Sequence, residues 1–199
     1  MRRNTPRSAT ISRRSILSFA VFAPVLAAVT GPSAAWAEKA VAPEHNPPGD
    51  IPDTQVFIDF TSPAGFSMKV PEGWARSELT DGTRFVDKLD GIVITRSKVK
   101  SAPTVENVKS DYLPQLKASG RAVEVSSVGT LDLPAGKAIR ISYSSNSEPN
   151  PVTEKQVRQE NERYLYYRKG LLVSVDLYAP YGADNVDQWR LMSRSFRWQ

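Results

Sequence analysis

Residue types that do chemistry are scarce in this chain, and their positions narrow what it can do. There is no cysteine, which excludes disulfides, thiolate metal sites and cysteine nucleophiles. There is one histidine, His45, and it stands among Pro43, Pro47 and Pro48. Such a stretch forms neither a helix nor a central strand, so His45 reads as an inert linker residue rather than a ligand or a base. A Ser-His-Asp triad needs a histidine in the folded body, and zinc needs a cluster of His or Cys. Neither pattern occurs, and no Gly-x-x-x-x-Gly-Lys-Ser/Thr phosphate loop is present. No residue set calls for a cofactor.

Two groups of side chains remain as candidates. Glu160 and Glu162 alternate along one strand-like segment with Arg158, Tyr164 and Arg168. A carboxylate pair can act as general acid and base on a glycan. A solvated strand face with cross-strand charge pairs is the simpler reading of the same pattern. Tyr164, Tyr166 and Tyr167 put tyrosines on both faces of that strand. Tyr164 and Tyr166 share a face and could line a groove for a glycan, lipid or peptide. The alternative is that a helix layer covers them.

The sharpest motif is an address. Arg13 and Arg14 sit directly before an uncharged run from Ser15 to Thr30, with serine on both sides of the pair and Ile16-Leu17 following. As a helix that run would span roughly 24 Å, short of the ~30 Å hydrocarbon core, and Pro24 weakens it further. It therefore reads as a cleaved export signal of the twin-arginine type, with the translocase as a transient partner. Small residues at Ala35 and Ala37 place the cut before Glu38. Five of the 26 basic residues and none of the 21 acidic ones lie in the first 37 residues, which leaves 21 of each beyond them. The body is neutral, so nucleic acid is not an expected partner. With no cysteine, a lipid anchor on an N-terminal cysteine is excluded as well.

The elements that must position the candidates follow in order. Residues 38–54 are rich in proline and predict a flexible tether. The domain then covers residues 55–199. Val56 to Phe60 and Phe66 to Val70 predict a hairpin, and Thr83 to Asp87 with Gly91 to Arg96 a second. Thr104 caps a helix that Pro114 should kink or split and Gly120 should end. Strands follow over Ala122 to Val128, Lys137 to Tyr143, Gln156 to Arg168 and Leu171 to Tyr178. Asp184 is the expected cap of a final helix that turns Trp189 and Phe196 inward. Strands, helix, strands, helix give an α+β domain: a mainly antiparallel sheet covered by helices.

The strand Val56 to Phe60, the Gly65-Phe66-Ser67 turn, the second strand and Pro71-Glu72-Gly73-Trp74 resemble the opening of PsbP-like domains. Those domains share an α/β/α sandwich fold with the yeast Mog-type Ran-binding proteins. Gly136 to Tyr143, Tyr164 to Tyr178 and the Trp189 helix also fit, and they resemble the exported actinobacterial LpqN-like branch. The family has no common catalytic motif. The resemblance therefore implies a non-enzymatic binding or assembly module, and the export signal makes a protein, glycan or lipid of the cell envelope its expected partner. An envelope hydrolase using acidic residues is the alternative.

Overall fold

The computed structural model describes residues 38–45 and 47–199. Arg13, Arg14, Ala35 and Ala37 lie outside them, and of the export-signal residues only Glu38 is described.

Period-two alternation builds the first hairpin. In β2 (Phe66–Pro71), Phe66, Met68 and Val70 are buried, and β2 pairs antiparallel with β1 (Phe57–Ser62). The two-residue strand β10 (Arg197–Trp198) joins the other side of β2, closing a three-stranded sheet. A strand that no alternation announces follows: β3 (Ala75–Leu79), exposed along its whole length. It is the edge of a second sheet, running on into β4 (Gly82–Asp87) and β5 (Asp90–Lys98).

The helical segment does not break at Pro114. It opens with α1 (Val105–Asn107), where Thr104 and Asn107 form a reciprocal capping box. A π-helical turn (Val108–Tyr112) then leads into α2 (Leu113–Ser119). Proline has no N–H to give the preceding turn, and the wider π turn directly before it absorbs that defect. A π turn thus stands where a kink or a split was expected.

The second half is a meander of long strands: β6 (Glu124–Leu133), β7 (Gly136–Asn146), β8 (Arg158–Arg168) and β9 (Leu171–Pro180). Lys169 (φ 48°) and Gly170 (φ 83°) form the tight turn between β8 and β9, a geometry with two positive φ values that glycine favours. The seven-stranded sheet has the order β3-β4-β5-β9-β8-β7-β6, and every pairing is antiparallel. Strand β9 sits centrally, and residues on both its faces are buried.

Each sheet face carries its own core. One holds Phe66, Met68, Val70, Ile92, Ile94, Tyr166, Val175 and Leu177, covered by the small sheet and by α3 (Val186–Ser195). The other holds Ile139, Ile141 and Leu165 against Val108 and Leu116 of the first helical segment. This is the expected α+β architecture, an antiparallel sheet between helix-bearing layers.

The N-terminal segment departs from the expected tether. Ile51 is 4 % exposed and belongs to the larger core. Its N–H donates to Asn185 Oδ1 at 2.6 Å, and Gln188 Nε2 donates to its carbonyl at 3.0 Å. Glu38 is held by Arg121 Nη1 at 2.9 Å and Asn146 Nδ2 at 3.0 Å. Prolines exclude regular hydrogen bonding within a segment, yet side chains of the body can still pin it. The cap of α3 differs for the same reason. The N-cap is Asn185 rather than Asp184, and its amide serves the N-terminal segment instead of the helix.

Candidate functional site

The alternation of β8 sends Glu160, Glu162 and Tyr164 to the face that α3 covers. Register places them beside Ser144, Ser142 and Arg140 of β7. Towards the β6 edge α3 no longer seals the sheet, and a groove of about 740 Å³ opens there. Its floor carries Arg140, Glu160, Glu162 and Tyr164; Trp189 and Val186 of α3, with Tyr181, form the wall. Trp189 is buried, whereas Val186 is 62 % and Tyr181 46 % exposed.

The floor is electrostatically ordered. Arg140 Nη1 lies 3.4 Å from Glu162 Oε1, and the Tyr164 hydroxyl donates to Glu162 Oε2. Burial, reinforced by that bond to a carboxylate, pushes the Tyr164 phenol above its ordinary range. Tyr164 therefore stays protonated as a donor. Glu160 has no basic partner among the described residues. Burial raises its carboxyl pKa, a bond from the Gly182 backbone N–H draws it back in part, and the neighbouring Glu162 raises it again.

Of the two candidate tyrosines, one belongs to the groove and the other does not. Tyr164 is 3 % exposed and reaches the groove lining. Tyr166 is 1 % exposed: its ring stacks on Phe196 at 4.0 Å and 7°, and its hydroxyl donates to the Ser193 carbonyl at 2.7 Å. The final helix covers it, so Tyr166 is a core residue and no ligand contact. Of the two carboxylates, only Glu162 forms the expected cross-strand charge pair, with Arg140 of β7. Arg158 instead binds Glu124, Ser144 and Asn146 at the far end of the strand. Arg140, Trp189, Val186 and Tyr181 are groove residues that pattern reading left out. The alternation of Lys137 to Tyr143 puts Arg140 on a polar face, but only the pairing register sets it opposite Tyr164.

His45 is exposed in the N-terminal segment. Among the described residues no cluster of three or more His, Cys, Asp or Glu could hold a metal ion, and no helix is long and apolar enough to cross a membrane.

The layer order and strand order define a PsbP-like fold. The chain is similar to the solution structure of cyanobacterial PsbP (CyanoP) from Synechocystis, with a TM-score of 0.55 and 13 % identity over 76 % of this chain and 98 % of that one. A weaker likeness is to the Ran-binding protein Mog1p of Saccharomyces cerevisiae: TM-score 0.48, 11 % identity, 72 % of this chain and 96 % of that one. No protein-family model and no curated protein matches the chain. At such identities the likeness to CyanoP establishes the fold and leaves the ligand to the site itself.

Proposed function

We propose that the chain is an exported, non-enzymatic binding or assembly-type protein of the bacterial cell envelope. Its ligand, a protein, glycan or lipid of that compartment, lies in the groove beneath α3. The observation that carries this reading is the composition of the groove. Apolar and aromatic walls from Val186, Trp189 and Tyr181 face hydrogen-bonding groups of Arg140, Glu162 and Tyr164 that are already held in place. Apolar walls with a few convergent polar groups are what ligand sites present.

An envelope hydrolase is the second reading, and Glu160 is the observation in its favour, because a raised carboxyl pKa suits a general acid. The geometry weighs against it. Glycosidase carboxylates flank the scissile bond from two sides, whereas Glu160 and Glu162 project from alternate positions of one strand in the same direction. Glu162 is also engaged by Arg140 and Tyr164. Release of soluble fragments from envelope polymers by the purified chain, lost in Glu160→Gln, would establish the hydrolase.

Export rests on Arg13-Arg14 and on the cut before Glu38, with the resemblance to the LpqN-like branch in support. Lys-Lys in place of Arg13-Arg14 should block export; normal export of that variant would favour the general secretory route. The binding reading is tested by crosslinking the full chain in its envelope and identifying what co-purifies. A reproducible partner is expected, and its absence for protein, lipid and glycan alike would overturn the reading.

A further inference from the structure

The opposite face of the seven-stranded sheet carries a second groove, of about 550 Å³, beyond the C-terminal end of α2. Its floor is built from strands in register. One row runs from Tyr143 on β7 through Asn161 on β8 to Tyr178 on β9. The next runs from Ile141 through Arg163 and Asp176 to Val93 on β5. An amide thus lies between two tyrosines, and beside it stands an ion pair.

That ion pair is preorganised and incomplete. Asp176 Oδ2 accepts from the Tyr143 hydroxyl at 2.7 Å and from Arg163 Nη2 at 2.5 Å. Arg163 Nη1 donates to the Tyr112 hydroxyl oxygen at 3.2 Å. Burial, with Asp176 beside it, keeps the Tyr143 phenol protonated. Asp176 Oδ1 and Arg163 Nε have no partner, and Asp176, which lines the groove, is only 7 % exposed. One ion pair thus leaves both a buried acceptor and a buried donor without partners, and groups that can both give and accept a hydrogen bond suit the two together. Hydroxyls do so. A carboxylate or phosphate only accepts and would meet Asp176 with like charge; an ammonium only donates.

Two further features narrow the ligand. Tyr178 lies across Gly91, where a Cβ would come within 2.1 Å of its ring, so the glycine lets the tyrosine lie close over the sheet. Such a ring can receive the apolar face of a sugar. The rim is cationic: Arg84, Lys88 and Lys155 line it and have no carboxylate within ion-pair distance among the described residues. Arg121 is already satisfied by Glu38 and Glu148.

We propose that this second groove binds an acidic saccharide. Its hydroxyls meet Asp176 Oδ1 and Arg163 Nε, its ring lies on Tyr178, and its carboxylate faces Arg84, Lys88 and Lys155. The site lies on the opposite face of the sheet from the groove beneath α3, with only Tyr143 and Asn161 of β7 and β8 bordering both.

The test is calorimetric titration of the full chain with trigalacturonate, with maltotriose as the neutral sugar and hexaglutamate as the anion without a sugar ring. Trigalacturonate should bind at least tenfold more tightly than either comparator. Arg84→Ala, at an exposed position, should weaken it at least fivefold, and Asp176→Asn should abolish it. If Asp176→Asn fails to fold by circular dichroism, Arg84→Ala decides. Val186→Asp, on the opposite face, should leave the titration unchanged, so failure here is separable from failure of the groove beneath α3. No binding of trigalacturonate, equal binding of either comparator, or an unaltered Arg84→Ala titration would overturn the proposal.

Discussion

Asn185 grips the N-terminal segment on both sides of Asp50: its Oδ1 accepts from the Ile51 N–H at 2.6 Å, and its Nδ2 donates to the Gly49 carbonyl at 2.8 Å. Asn185 itself is 1 % exposed. These two bonds turn a proline-rich stretch into part of the domain and seat Ile51 in the core. Removing the amide leaves a buried N–H and a carbonyl without partners, so Asn185→Ala should cost about 2 kcal/mol in urea unfolding. Asp184→Ala, at an exposed position beside it, should stay within about 0.5 kcal/mol. Equal losses for the two variants would mean that the Asn185 amide does not hold the N-terminal segment to the domain.

The buried position of Tyr166 makes a second prediction. Tyr166→Phe loses one buried bond, to the Ser193 carbonyl, and should cost about 1 kcal/mol. Tyr166→Ala also removes the stack on Phe196 and should cost about 3–5 kcal/mol. Neutral behaviour of Tyr166→Ala in thermal unfolding would mean that this ring faces solvent.

Asp90 sets a pH dependence. It is 6 % exposed, its Oδ1 has no partner, and burial, with Asp87 and Asp50 adding like charge, pushes its carboxyl up to about 7. The folded state therefore holds this proton more tightly than the unfolded chain does. The resulting stabilisation is present below the unfolded value near 3.8 and is lost as pH rises through about 7. Stability should fall between about pH 4 and pH 7 on account of this group, and Glu160, shifted in the same direction, adds to the fall. Asp90→Asn should flatten the profile and raise Tm at pH 8 by roughly 5 °C. A profile unchanged by that substitution would remove Asp90 as its cause.

The hairpins were legible because one face of each is buried and the turns between them carry glycine. Phe66, Met68 and Val70 show the first in their spacing, and Lys169-Gly170 marks the last. Strand β3 was not legible, since Ala-Arg-Ser-Glu-Leu buries nothing and only its pairing with β4 makes it a strand. The N-terminal segment misled for the opposite reason: its prolines are conspicuous, while the residue that matters, Ile51, is a single apolar side chain with no periodicity. For the candidate site, alternation correctly put Glu160, Glu162, Tyr164 and Tyr166 on one face. Which of them meets a groove depends on where α3 ends over the sheet, a tertiary fact that spacing along β8 does not contain.

The central claim, that the groove beneath α3 holds an envelope ligand, is tested most directly by a photo-crosslinking amino acid placed at Val186. That residue is exposed on the groove wall, and Leu79, exposed on β3, is the control. Irradiation of the exported full chain should give one defined adduct from position 186 and none from position 79. No adduct at 186, or the same adducts from both positions, would contradict the account.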